Sequence, residues 1–346
     1  MISIKSRFID PLQCESMSPI VRRFNPLKPP LPSNREFSQI INENFVWASK
    51  MSTQSIFDCG LIDYLVTTIK HYFLLGSGEW VLNFLELSFN DLTLSSSTVD
   101  SERLSFLIEI VSSKKVKFIP KVELLNYSIF GHIMAVLNLS SDHPINFDEI
   151  KRSSSDLSAR KSLTTLEAIS LTCECPFPLN LVVTPVVLLK LSPLFRHFLM
   201  LRYTEKMVVS LWEHQSLFRK NGKIFQNSNL DGNSEKFEFF MSVIKYRQQM
   251  LHFIQTFLFY CSTSVIEPQW KNLLENLAAS QTPSAMKIFM NEFADALLQQ
   301  CLLTNKDVFK RISQAIKSIN TFCRHIHRVL SSGTDELPFW GCFDYD

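Results

Sequence analysis

The sequence predicts a mainly α protein, an elongated helical bundle with one small β-hairpin near residues 166–183. Three observations carry that expectation. Glycine is scarce, at 8 of 346 residues, which disfavours a glycine-rich nucleotide-binding α/β fold. Apolar residues make up 46% and include 29 Phe, enough for a large core of Phe and Leu. Apolar residues also recur at helical spacing along most of the chain, and the pattern clearly leaves that period in one place, Leu166 to Pro185.

That stretch organises the rest. Leu166, Ala168, Ser170 and Thr172 alternate with Glu167, Ile169, Leu171 and Cys173, a period of two. Pro176 and Pro178 force an extended or turning backbone. Leu179 to Val183 is a second short run rich in β-branched residues, expected to complete the hairpin. Thr184 followed by Pro185 is a helix start, with a side-chain acceptor at the N-cap and proline at the first helical position.

Residues 1–34 hold six prolines with Arg22, Arg23 and Lys28, and read as an extended or disordered lead. Residues 35–75 form a helical segment. Helical pattern begins near Glu36 and runs through Phe45, Val46 and Trp47. From Ile56 to Leu75 it places Leu61, Ile62, Leu65, Ile69, Tyr72 and Phe73 on one face. Gly76-Ser77-Gly78 stops that helix and opens the next, Glu79 to Asp91; it follows a helix rather than a strand and lacks the Lys and Ser/Thr of a phosphate loop. Ser101 to Ser112 reads as a helix, followed by Lys114, Lys115 and Lys117, a solvated basic loop. Asp142 to Arg160 is polar and reads as a mobile loop.

Residues 76–330 constitute the main helical domain. Pro185 to Trp212 carries Leu188, Leu191, Phe195, Phe198 and Leu199 as a stripe, with Arg196, His197, Arg202, Glu205 and Lys206 on its flanks. Asn221 to Ser234 is a turn-rich insertion. Glu235 to Ser264 shows so wide an apolar surface, Val243, Tyr246, Met250, Phe253, Ile254, Phe257 and Tyr260 among it, that it is expected to be the central helix of the bundle. Pro268 allows a break before a short helix, Trp270 to Ala279. Thr282-Pro283 and Thr304-Asn-Lys-Asp307 open two further helices, Ser284 to Leu303 and Asn305 to Leu330. The tail, 331–346, holds Trp340, Phe343 and Tyr345 among acidic residues, and either docks or frays.

Composition and motifs exclude several function classes. A net charge of +2 supplies no broad field for nucleic acid or an anionic membrane, and no apolar run has the length to span a bilayer. Eight cysteines without a CxxC pair read as reduced, mostly buried thiols of a cytosolic protein. Of Cys323, His325 and His327, only the first and last share a helix face, and further ligands at metal-site spacing are lacking, so no metal is expected. Cys173 and Cys175 lie on one face of the expected strand, too near in sequence for an easy disulfide. No GxSxG or HExxH occurs, and no catalytic residues or cofactors are expected.

Four blocks carry a family resemblance that spans about Phe45 to Leu330. They are Ile69-Lys-His-Tyr-Phe-Leu-Leu-Gly-Ser-Gly-Glu-Trp-Val-Leu-Asn-Phe, the Leu166 to Leu199 block, Tyr246 to Tyr260 with Val265-Ile-Glu-Pro-Gln-Trp, and Cys301-Leu-Leu-Thr-Asn. Together they resemble the C-terminal domain of the gamma-tubulin complex components, and Leu194-Phe-Arg-His, Arg247-Gln-Gln-Met-Leu and Glu267-Pro-Gln-Trp look most like component two. The family's residues around its first strand are replaced here by Thr172-Cys-Glu-Cys-Pro-Phe, and its N-terminal half has no counterpart beyond its end, before Lys70.

The resemblance implies a non-enzymatic subunit that binds gamma-tubulin and joins other gamma-tubulin complex components in microtubule nucleation. It implies a place in the cytoplasm and cytoskeleton at a microtubule-organising centre, centrosome or spindle pole. Arg196, Arg202, Lys206 and Arg247 are taken as exposed candidates for the gamma-tubulin surface, against a bland alternative of solvated helix faces and local ion pairs. Two other readings stay open: a helical adaptor that has lost that partner, and an enzyme with an unrecognised site, which would show an enclosed pocket with convergent titratable groups.

Overall fold

The computed structural model of the protein describes residues 34–76, 78–112, 118–125, 127, 129–138, 163–220 and 232–331. The Pro-rich lead, the lysines at 114, 115 and 117, the polar stretch 142–160, the insertion 221–231 and the tail after Ser331 lie outside the described residues. Within them the chain is mainly α-helical with one small antiparallel pair of strands.

Helix α1 (Asn34–Asp58) ends at a left-handed Gly60 (φ 87°), and α2 (Leu61–Tyr64) passes directly into a π-helix, Leu65–Phe73. Leu61, Leu65, Ile69, Tyr72 and Phe73 are buried as one face, but Ile62 is 38% exposed and stands outside it, on the flank of α2 before the wider turns begin. The π-helix closes on Leu75 (φ 52°), and Gly76 N–H then donates to the Lys70 carbonyl at 2.9 Å. The span is one residue longer than the corresponding closure of an α-helix, as i→i+5 winding requires. A Cβ on Gly76 would lie 2.7 Å from that same carbonyl oxygen. Gly76→Ala is therefore expected to cost about 1–3 kcal/mol, read as a lower urea midpoint at unchanged m-value.

Helices α3 (Gly78–Leu87), α4 (Phe89–Thr93) and α5 (Ser101–Val111) follow. The sequence expected one helix from Glu79 to Asp91; a break at Ser88 divides it. Strand β1 (Lys121–Leu124), α6 (Ile129–Asn138), the short α7 (Thr165–Ala168) and strand β2 (Ile169–Thr172) complete the first half.

The β-structure differs from the expected local hairpin. Residues 165–168 are a helical turn, and β2 pairs with the distant β1, Lys121 opposite Thr172 and Leu124 opposite Ile169. The run from Leu179 forms a 3-10 turn (Leu179–Leu181), with Val182 and Val183 fully buried. Two nearby prolines remove ladder donors, so this apolar run anchors the chain by burial instead of by strand pairing. The partner strand β1 is short, and only Val122 of its first three residues is buried, which leaves a weak alternation in the sequence.

The centre of the bundle is helix α8 (Pro185–Lys220), not the 235–264 segment. Every residue from Lys190 to Leu201 is buried, including Lys190, Ser192, Arg196 and His197, and the helix continues through Pro193. Helix α8 packs against β2, α6, α9 (Gly232–Phe259), α11 (Pro283–Gln300) and α12 (Lys306–Ser331). The expected Thr184 side-chain cap is absent: its hydroxyl is buried without a hydrogen-bond partner among the described residues, and its carbonyl accepts from Val187 and Leu188 instead.

Nor does Pro268 break the chain. Helix α9, a π-helix (Tyr260–Ile266) and α10 (Glu267–Ala279) run on as one rod. Proline lacks an N–H and crowds the carbonyl four residues back; the wider π turns just before it accommodate both. Thr282 caps α11 as expected, accepting from Ala285 N–H at 3.2 Å. At α12 the cap is Asn305, whose Oδ1 accepts from the Asp307 and Val308 amides. One buried apolar cluster extends from Ile56 to Ile326. No helix among the described residues is long and apolar enough to cross a membrane.

Candidate partner-binding surface

The four basic residues singled out in the sequence do not share one surface. Arg196, expected on an exposed flank, is completely buried. Its position on α8 faces the turn of α7 and the start of α6. Nη2 donates to the Tyr127 carbonyl at 2.7 Å and to the Glu167 carbonyl, Nη1 meets His132 Nδ1 at 3.3 Å, and the guanidinium lies 5.8 Å from the Tyr127 ring centroid. Burial pulls Arg196 down to about 10, and neighbouring Tyr127 and Glu167 oppose that fall; it stays charged at neutral pH. Burial and then Arg196 itself hold His132 down to about 3, so its imidazole is neutral and Nδ1 is the acceptor. Arg196 thus ties three segments together and cannot touch a partner.

Arg247 is buried as well, against the Trp212 ring at 5.2 Å, with Nη2 3.4 Å from Gln248 Oε1. Contacts along α8 and α9 run in opposite directions, His197 meeting Phe257 and Trp212 meeting Arg247, so the two helices are antiparallel neighbours.

Arg202 and Lys206 are half-buried, one helical turn apart, and the Lys206 Nζ itself is covered. Arg202 Nη1 pairs with Glu205 at 2.9 Å, and Glu205 accepts from Gln255 of α9 at 3.3 Å. Lys206 Nζ lies 3.4 Å from Glu86 of α3. These pairs join α3, α8 and α9 across one flank. Exposed apolar groups adjoin them on the same helices: Leu82 one turn before Glu86, and Val209 and Trp212 following Lys206. Surface ion pairs of this type contribute roughly 0–1 kcal/mol each, so they orient side chains more than they hold the fold. Charged groups mixed with exposed aromatic and aliphatic ones are the usual texture of a protein-binding surface.

A second exposed feature runs along α9, where Phe253 stands out to solvent while Phe257, half-buried, packs against the core. Tyr246, Phe253 and Tyr260 repeat every seven residues, and are 52%, 42% and 38% exposed. Phe253, Phe257 and Tyr260 stack in succession at 6.5 and 6.4 Å. At 100° per residue this ladder lies about 100° around the helix from the buried line of Val243, Ile254, Leu258 and Cys261. The seven-residue spacing was visible, but apolar width alone does not say which edge of a stripe is covered. Trp270 is buried.

Two sequence blocks far apart in the chain meet beside this rod. Lys70, on the first π-helix, pairs with Glu267 at 2.9 Å and lies 5.4 Å from the Trp270 ring centroid. Trp80 donates its indole N–H to the His71 carbonyl at 2.9 Å.

Catalytic chemistry finds little support in the geometry. A pocket of about 430 Å³ between the strands and α8 is lined by Glu123, His132, Ser170, Cys173 and Ser192. The two serine hydroxyls bond each other at 2.5 Å, and His132 Nε2 bonds neither. Burial raises the Cys173 thiol and pushes Cys175 up to about 11, so neither is an activated nucleophile. Both follow the end of β2, near the Tyr64 hydroxyl, which donates to Cys173 Sγ at 3.5 Å. Cys261, Cys301 and Cys323 are buried free thiols, whereas Cys59 is exposed. Among the described residues no three His, Cys, Asp or Glu converge as metal ligands.

A mainly helical body whose exposed features include paired charges and aromatic side chains has the texture of a partner-binding protein. Comparison with known proteins specifies which. The family model described as Gamma tubulin complex component C-terminal matches residues 64–338, and the chain belongs to that family. It is 23% identical over 304 residues to gamma-tubulin complex component 2 of Mus musculus, covering 86% of this chain and 32% of that protein. It is 22% identical to the spindle pole body component alp4 of Schizosaccharomyces pombe, covering 84% and 41%. It is 28% identical to a gamma-tubulin complex component 4 homolog of Medicago truncatula, covering 78% and 38%. The chain thus spans between about a third and two fifths of the length of these relatives.

Proposed function

We propose that the protein is a gamma-tubulin-binding subunit of a gamma-tubulin complex and acts, without catalysing a reaction, in microtubule nucleation at a microtubule-organising centre. The observation that carries this reading is the family match over residues 64–338, which takes in nearly the whole helical body. The names of the relatives, components of the gamma-tubulin complex and of the spindle pole body, supply the partners: gamma-tubulin and other subunits of that assembly.

The contact proposed is the flank of α3, α8 and α9 that carries Glu86, Arg202, Glu205 and Lys206 beside Leu82, Val209 and Trp212. Arg196 and Arg247 serve it only indirectly, by holding α8 to its neighbours. A rigid helical interior suits the task, because a nucleating template must hold its partner in one orientation.

Copurification of the full chain with gamma-tubulin tests the reading. Binding is expected for the parent protein, with a loss of about tenfold or more for Lys206→Glu combined with Val209→Asp, a change of 1.4 kcal/mol or above. Phe253→Ser, on the far side of α9 from Gln255, should bind as the parent does. Absence of binding by the folded parent protein at micromolar concentration would favour the helical-adaptor reading.

A further inference from the structure

Helix α12 is strongly asymmetric in charge. Between Lys306 and Ser331 it carries six cations, Lys306, Lys310, Arg311, Lys317, Arg324 and Arg328, against the single anion Asp307. All six are exposed. The whole chain has a net charge of only +2, so this helix is the most basic element of a nearly neutral protein. Its inner edge borders a groove of about 530 Å³ with a floor of Leu92, Leu166, Met200, Tyr203 and Met207. Lys317 and Arg324 stand on the rim, and Lys317 pairs at 3.2 Å with Glu167. Between them Asn320 presents a buried Oδ1 that has no hydrogen-bond partner among the described residues.

We infer that this groove is the docking site for the chain's own segment 332–346, which lies outside the described residues. The complementarity is threefold. The segment contains Leu337, Phe339, Trp340, Phe343 and Tyr345, which match an apolar floor. It contains Asp335, Glu336, Asp344 and Asp346 and no Lys or Arg, opposite in charge to the rim. It supplies one indole N–H, on Trp340, for the unpaired Asn320 acceptor.

Length and local chemistry permit the return. Arg324 lies seven residues before Ser331, about 10 Å along the helix at 1.5 Å per residue. The nine residues from 332 to 340 reach about 30 Å when extended. Gly333 can take the left-handed conformation that reverses a chain after a helix. The basic face of α12 is thereby neutralised by its own continuation, and an acidic, aromatic partner could occupy the groove only by displacing it.

Photo-cross-linking on the full chain tests this. A benzophenone amino acid placed at position 339, which leaves Trp340 in place, should label Met200, Tyr203 or Met207 in a reaction whose yield per molecule does not change with protein concentration. Arg324→Glu should abolish most of that product while leaving the circular dichroism spectrum and melting temperature unchanged. Raised salt should weaken it. Labelling confined to other parts of the fold, labelling that grows with concentration and so joins two copies, or a yield indifferent to Arg324→Glu would each overturn the inference. None of these outcomes depends on gamma-tubulin.

Discussion

Replacing Arg196 with methionine is expected to destabilise the protein by about 3–5 kcal/mol, the largest effect of any single change to a charged residue here. The substitution keeps the apolar stem and removes the donors. Two buried carbonyls, those of Tyr127 and Glu167, lose their partner, and His132 Nδ1 loses its own. Each orphaned buried group costs about 1–3 kcal/mol. Arg196→Lys should restore little, because an ammonium cannot span the same fork of acceptors. Arg202→Met, on a partly covered pair at the surface, should change stability by less than about 1 kcal/mol. Urea unfolding of the three variants at pH 7 measures all of this; an Arg196→Met protein as stable as the parent would remove the structural role assigned to that side chain.

The second large effect is acid sensitivity from His197. This residue is fully buried among Phe198, Phe257 and Phe309, and neither ring nitrogen has a hydrogen-bond partner among the described residues. Burial alone pulls its pKa down to about 4. In the unfolded chain the group titrates near 6.5. Below 6.5 the unfolded state therefore takes up a proton that the folded state refuses, and stability falls as pH falls. Stability is complete above 6.5, declines by about 1.4 kcal/mol per pH unit between 6.5 and 4, and levels off below. By pH 4 the loss from His197 amounts to roughly 3 kcal/mol. His132, held down to about 3 by burial and by Arg196, adds a parallel decline over a longer window. His197→Leu should flatten the profile by its share while leaving stability at pH 7 equal or slightly higher, since two unpaired nitrogens are exchanged for an apolar group. Denaturant midpoints from pH 7 to pH 4 give the comparison, and parallel profiles for parent and variant would refute the assignment.

Both predictions concern side chains whose surroundings were not legible in the chain. Arg196 and His197 lie between Phe195 and Phe198, in a helix whose apolar stripe was easy to see. An Arg-His pair on the flank of such a stripe reads as solvent-facing. Helix α8 is enclosed on all sides because α6, α9, α11, α12 and the strand β2 converge on it, and nothing local to residues 190–201 records that. The same limit moved the centre of the bundle. The segment 235–264 has the wider aromatic surface, yet one edge of it, Tyr246, Phe253 and Tyr260, faces outward. The local signals that did succeed were those with a local cause: Thr282 ahead of Pro283, the glycine break at 76–78, and the departure from helical period at Ile169.

By itself the sequence determined the class of fold, the main helices, the family and one of the two strands, because periodicity, caps and motif blocks are properties of neighbouring residues. Only the tertiary structure decided which helix lies at the centre, which strand pairs with β2, and which of the four basic residues are buried. Burial and pairing are set by segments distant in the chain. A charge on a helix becomes an inward strut or an outward contact according to what those segments place against it.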